Sequence, residues 1–279
     1  MRAEASAGTA AAGRATAAAA GLAGAWSLPA LAPLVPALAV RLGVARRSSL
    51  PGSVALTFDD GPHRQGTPAV LELLAAAGVR ATFFLVGEQV LRTGGLAGEI
   101  AAAGHAIALH GHRHRVLLRV PPAAVRDDLD RGAGVVAEAT GAAPALHRPP
   151  LGIYAWPALR DVRARGWAPV LWSRWGHDWR RRATPQGIAA ELAGDVAAGD
   201  VLLLHDADHY SAAGSWRHTV AALPRVLEAV AVRGLGFAPI ATAADLARPR
   251  LSPPGGSTAA RTSDARRSSP RRAGRPGGP

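Results

Sequence analysis

The chain has 279 residues, 48% of them hydrophobic, which is enough apolar material for one α/β core. It has no cysteine, so disulfide frameworks, thiol nucleophiles and thiolate metal sites are excluded. All 32 basic residues are arginine, but the net +12 is uneven: from Arg248 onward eight arginines face one acid, Asp264, so no specific nucleic-acid partner is expected.

Ala15 to Val40 carries no charge over 26 residues, between Arg14 and Arg41, which is long enough for a bilayer. It is nevertheless alanine-rich and interrupted by Pro29, Pro33 and Pro36. It reads either as a membrane anchor or export segment, or as an extension packed on the domain. A single domain is expected over 51–247. Residues 1–50 lie in front of it, and the Arg/Pro/Gly/Ser-rich tail 248–279 is expected to be disordered.

Ser53 to Phe58 reads as a buried strand that stops at Asp59-Asp60-Gly61-Pro62. Neighbouring side chains on a strand face opposite ways, so the two carboxylates are suited to different tasks, one on a cation and one as a base. A helical pattern follows over Thr67 to Ala77, a strand over Ala81 to Val86 and a helix over Glu88 to Ala103. The apolar run Ala106 to Leu109 enters His110-Gly111-His112-Arg113-His114. The four-residue spacing of His110 and His114 puts both imidazoles on one face of a helical turn. Two histidines with one carboxylate suit a hydrolytic Zn²⁺ or a similar divalent ion, and His112 reads as a neighbour rather than a ligand.

Next come a helix over Pro121 to Thr140, a strand over Ala145 to Arg148 ending in Pro149-Pro150, and a strand over Pro169 to Ser173. Trp172 to Trp179 then supplies Asp178 among aromatic residues. A helix is expected over Thr184 to Ala197, a wholly apolar strand from Val201 to His205, a helix over His218 to Arg233, and a last strand over Phe237 to Ile240. Gly78, Gly104, Gly141 and Gly234 close helical runs, as C-caps do. Alternating strands and helices imply a parallel sheet, open or closed. Each candidate site stands at the carboxyl end of a strand, where α/β barrels build active sites. A phospho-receiver would share the strand-end Asp pair but needs neither the His110/His114 pair nor His205.

These motifs in this order resemble the polysaccharide deacetylases of the NodB-homology family, metal-dependent carbohydrate esterases, over about Pro51 to Leu246. Thr57 to Pro62 is similar to the family's T-F-D-D-G-P, His110 to His114 to its metal-binding histidine motif, and Arg148-Pro149-Pro150 to its R-P-P. Asp178-Trp179 is similar to the end of D-x-x-D-W, and Leu203-Leu204-His205 to L-x-H. The resemblance implies a distorted (β/α)₇ barrel, with Asp60, His110 and His114 on one divalent metal, Zn²⁺ first and Co²⁺, Ni²⁺ or Mn²⁺ as alternatives. It further implies Asp59 as base paired with Arg148, and His205 as general acid oriented by Asp178. Pro150, Leu151, Trp179 and Leu203 are then expected around the substrate, with Leu203 against the acetyl methyl. Two positions depart from the pattern: Trp175 stands where the first Asp of D-x-x-D-W would fall, and Leu151 where an aromatic is common.

The expected reaction is N-deacetylation of a GlcNAc-containing glycan, chitin-like or peptidoglycan-like. A lipid-linked amino sugar, an O-acetyl xylan ester or another amide are the alternatives on the same fold. A monomer is expected, secreted or membrane-anchored, working at the cell envelope with contact through its termini.

Overall fold

The computed structural model describes Gly24 and residues 26–247. Eight parallel strands were found among the described residues: β1 (Ser53–Asp59), β2 (Thr82–Leu85), β3 (Ala106–Leu109), β4 (Leu146–His147), β5 (Ala168–Pro169), β6 (Arg174–Trp175), β7 (Val201–His205) and β8 (Gly236–Phe237). Seven follow one path, β5-β4-β3-β2-β1-β7-β6, while β8 pairs only with β1. β1 and β7 lie at the centre, and every residue of Val54–Asp59 and Val201–Leu204 is buried. Their unbroken apolar runs fit strands covered on both faces, as in helix-wrapped parallel sheets.

The two ends of the path, β5 and β6, are joined by Val170–Ser173 alone. A chain that short spans at most about 18 Å, so the sheet must curl until its edges approach each other. The segment just before the first strand bridges the gap: Ala45 pairs with Val170, Arg47 with Asp200 and Ser48 with Leu246. The result is the expected distorted barrel. Its seven-strand path is not the one read from sequence, however. Of the expected strand over Pro169 to Ser173 only Pro169 belongs to a strand, at the end of β5, and Val170–Ser173 is the link to β6, because Leu171 N–H turns to Ala45 O. The seventh strand of the path is β6, which was not expected, and the run expected over Phe237–Ile240 contributes only to β8, off the path.

Helices wrap the sheet: α1 (Pro36–Arg41), α2 (Gly66–Ala76), α3 (Gly87–Thr93), α4 (Leu96–Ala102), α5 (Pro122–Thr140), α6 (Trp156–Ala164), α7 (Pro185–Ala193) and α8 (Ser215–Val232). The helix expected over Glu88 to Ala103 breaks into α3 and α4 at Gly94, whose φ of 69° and ψ of −125° are closed to other residues. α6 was missed in sequence, although Pro157 in its first turn and buried Ala158, Leu159 and Val162 carry its signature. α5 ends as expected on Gly141, left-handed at φ 74° with its N–H on Ala137 O.

Residues 26–50, which the sequence sets apart from the domain, are packed on it. A 3₁₀ turn (Leu28–Leu31) and α1 bury Pro29, Ala32 and Ala39, and Arg46 Nη1 donates to Ala32 O at 3.0 Å and Pro33 O at 2.8 Å. Among the described residues no helix is long and apolar enough to cross a membrane. Residues 15–23 of the uncharged run and the tail after Ala247 lie outside the described residues. A chain starting at Arg41, which keeps buried Leu42, Val44 and Ala45, should still fold, but with Pro29, Ala32 and Ala39 gone it loses about 3 kcal/mol of burial. Its melting temperature should therefore fall by roughly 6–12 °C against a chain starting at Trp26, measured by calorimetry.

Candidate active site

Asp59 ends β1 and sits in register opposite His205 at the end of β7, so the sheet itself sets two chemically active side chains side by side. Asp60 follows with φ 76°, a left-handed conformation that Asp tolerates better than most residues. That turn redirects its side chain, and both carboxylates reach one cavity instead of opposite faces. Gly61 allows it. A Cβ there would stand 2.6 Å from both carboxylate oxygens of Asp206, which is fully buried behind the loop and receives the Thr67 hydroxyl hydrogen bond. Burial pushes Asp206 up to about 7, although the Thr67 bond opposes the shift.

Asp60, His110 and His114 each offer a ligand atom, and the three atoms lie within 4.8 Å of one another. The Nε2 atoms of His110 and His114 are each 3.4 Å from Asp60 Oδ1, a buried oxygen with no hydrogen-bond partner. His110 Nδ1 lies 2.9 Å from Arg148 O. A carbonyl only accepts, so Nδ1 carries the proton and Nε2 turns a lone pair toward Asp60. Two acceptors facing each other in a dry site are unfavourable unless a cation stands between them. His114 is pushed down to about 4, chiefly by burial against the pull of Asp60, and is neutral. The donor set therefore fits a divalent metal. His112 is not part of it: its backbone N–H donates to Asp128 Oδ2 at 2.8 Å, and its ring lies against Gly87.

Arg148 extends from β4 and is fully buried. Nη1 donates to Asp59 Oδ1 at 2.6 Å and to Thr57 Oγ1 at 2.9 Å, Nη2 donates to Leu171 O at 3.0 Å, and the guanidinium lies 3.9 Å over the Phe84 ring. Held on all sides, it fixes one oxygen of Asp59 and leaves Oδ2, 3.9 Å from His110 Nε2, turned toward the donor set. Asp178, also buried, accepts from the His205 backbone N–H at 2.7 Å and from Thr219 Oγ1 at 2.7 Å, and faces His205 Nδ1 at 2.9 Å. Burial opposes charge on His205, but the Asp178 carboxylate outweighs it and His205 is pushed up to about 10.

Asp59, Asp60, His110, His114 and His205 line a cavity of about 170 Å³ together with Leu151, Gly152, Trp172, Trp175, Trp179, Leu203, Tyr210 and Ser211. Of the side chains expected around a substrate, Leu151, Trp179 and Leu203 are on its wall, and Pro150 is buried away from it. Leu151 adopts φ 58°, which aims an exposed leucine at the cavity lip. Tyr210 was missed in sequence. Its ring stacks on His114 at 4.2 Å and 10°, and its hydroxyl donates to Glu88 Oε1 at 2.7 Å while accepting from Gln89 Nε2 at 2.8 Å. No motif marks it; a tyrosine five residues beyond the strand-end His205 was the only signal.

Comparison with known proteins agrees with this geometry. The Polysaccharide deacetylase family profile matches residues 46–170, which include Asp59, Asp60, His110, His114 and Arg148. A chitooligosaccharide deacetylase of Bradyrhizobium sp. (strain ANU 289) is 34% identical over 195 residues, 67% of this chain and 89% of the relative. The crystal structure of the Bc1960 peptidoglycan N-acetylglucosamine deacetylase superposes with a TM-score of 0.67 at 28% identity, over 72% of this chain and 93% of that one. A family 4 acetyl xylan esterase from Clostridium thermocellum, solved with a cobalt ion, gives 0.60 at 28% identity over 67% and 87%. Alike in sequence where the strand ends carry the site and alike in fold over most of its length, the chain belongs to the polysaccharide deacetylase (NodB-homology) family.

Proposed function

We propose that the protein is a metal-dependent hydrolase that removes N-acetyl groups from GlcNAc-containing oligo- or polysaccharides at the cell envelope. The observation that carries this reading is a single cavity lined by Asp59, which Arg148 holds from behind, by His205, which Asp178 holds from behind, and by the three-ligand set. Asp60, His110 and His114 would hold the cation, and two imidazole nitrogens with one carboxylate favour Zn²⁺ over the harder ions. When bound, such an ion acidifies water and polarises an amide carbonyl. Asp59, oriented by Arg148, takes the proton of the attacking water. His205 enters the reaction protonated and gives its proton to the departing amine, with Asp178 and Thr219 fixing its ring. Leu203 and the tryptophans surround the acyl group and the sugar. We assign the catalytic unit to about 26–247, since the segment before Pro51 packs on the barrel.

Purified protein should carry about one equivalent of Zn²⁺ and release acetate from chitooligosaccharides or peptidoglycan faster than from acetylated xylan. Acetate from xylan alone would replace the amide reading with an ester one. Metal-loaded protein that releases none from any of the three would overturn it.

A further inference from the structure

Among the described residues eight large hydrophobic side chains are exposed, and six of them belong to one place. Leu28, Leu31, Leu34 and Val35 lie on the segment before the barrel, and Leu151 and Trp156 lie on the barrel beside it. The 3₁₀ turn packs on α6, which begins at Trp156, and Pro33 reaches the Cα of Gly152 closely enough that a Cβ there would stand 3.1 Å from it. The face is therefore continuous with the cavity lip at Leu151. Leu34 is 70% exposed and Leu31 49%. Monomers rarely gather exposed apolar side chains in this way without a partner.

Charge and chain direction say which partner. The sequence holds no acidic residue from Ala5 to Phe58, while Arg41, at the end of α1, and Arg160, one turn after Trp156 on α6, are exposed. The run that enters the face from upstream is uncharged back to Ala15. Apolar side chains with a tryptophan, on a segment that has no acidic residue and with exposed arginine on the same helices, match the boundary between lipid tails and anionic headgroups.

We propose that this face docks on an anionic lipid surface and turns the cavity mouth toward it, so that the acetylated sugar is taken from glycan attached to or lying on the membrane. What is processed there rests on the deacetylase reading, but the docking does not.

Full-length protein should co-sediment with vesicles of phosphatidylcholine and phosphatidylglycerol in equal parts, and more weakly with phosphatidylcholine alone. The triple variant Leu31→Gln/Leu34→Gln/Trp156→Gln should lose at least about tenfold in vesicle partitioning. Its acetate release from soluble chitooligosaccharide should stay within about twofold of wild type, because none of the three lines the cavity. Leu91→Gln/Val232→Gln, exposed elsewhere, should partition as wild type. Equal partitioning of the triple variant and wild type would overturn the proposal, as would no vesicle binding by wild type. The second result would leave the face to a second copy, seen as a dimer that the triple variant abolishes, or to residues 1–23, seen as binding gained on their deletion. Absent acetate release with intact vesicle binding would sink the deacetylase reading alone.

Discussion

Asp59→Asn should keep its full equivalent of bound metal and lose about 10²–10⁴-fold in kcat, the usual worth of one general-base step. Asp60→Ala should do the opposite in the metal assay: no ion retained, and no activity to measure. The two are adjacent in sequence and both buried, so geometry separates them. Asp59 gives an oxygen to Arg148 at 2.6 Å and has its other oxygen 3.9 Å from His110, whereas Asp60 Oδ1 has no hydrogen bond and faces both imidazoles at 3.4 Å. His110→Ala and His114→Ala should resemble Asp60→Ala, with far-UV dichroism unchanged, since the ligands stand on strand ends and a loop rather than in the core. His112→Ala should retain metal. Metal content by mass spectrometry with kcat on one chitooligosaccharide decides the matter, and a metal-free Asp59→Asn would exchange the two roles.

What could be read from the sequence was whatever repeats a local rule. An apolar run ending in a polar residue marks a strand end, and Asp59, His110, Arg148 and His205 each sit on or immediately after such a run. Asp178 was legible only through its neighbour Trp179 and the family pattern. Tyr210, Trp172 and Thr219 were not legible as site residues, because their roles depend on loops and a helix that the barrel brings together across long stretches of chain. Asp60 was legible as a residue but not as a conformation; its left-handed backbone is what lets two adjacent carboxylates share one cavity. The N-terminal run shows the limit most clearly. Lack of charge is common to a membrane span and to short helices laid on a barrel, and the prolines decide between them: Pro29 and Pro36 each stand in the first turn of a short helix, so the described part cannot continue as one long one.

The pH profile should report Asp178. His205 gives up a proton in the reaction, so activity is present while His205 is protonated and falls on the alkaline side. With His205 pushed up to about 10, metal-free wild type holds that charge well past neutrality. A cation on Asp60 cancels part of that carboxylate's pull, but Asp178 makes the larger contribution and remains. Asp178→Asn keeps the size of the side chain and removes its charge. Burial, which lowers His205, then acts with less opposition, and the alkaline limb should move to lower pH by at least about one pH unit. Above the limb that displacement costs about tenfold in rate. Near the acid end of the profile the variant should recover much of its rate, which a merely misfolded protein would not do. The stability sign follows the same group. Its folded value lies above the ordinary one near 6.5, so the stabilisation is full below about 6.5 and is lost as pH rises through about 10. Wild-type melting temperature should therefore decline across that window, and the Asp178→Asn curve should be flatter there. An alkaline limb that stays in place in Asp178→Asn would show that His205 is not the acid, or that Asp178 does not set its charge.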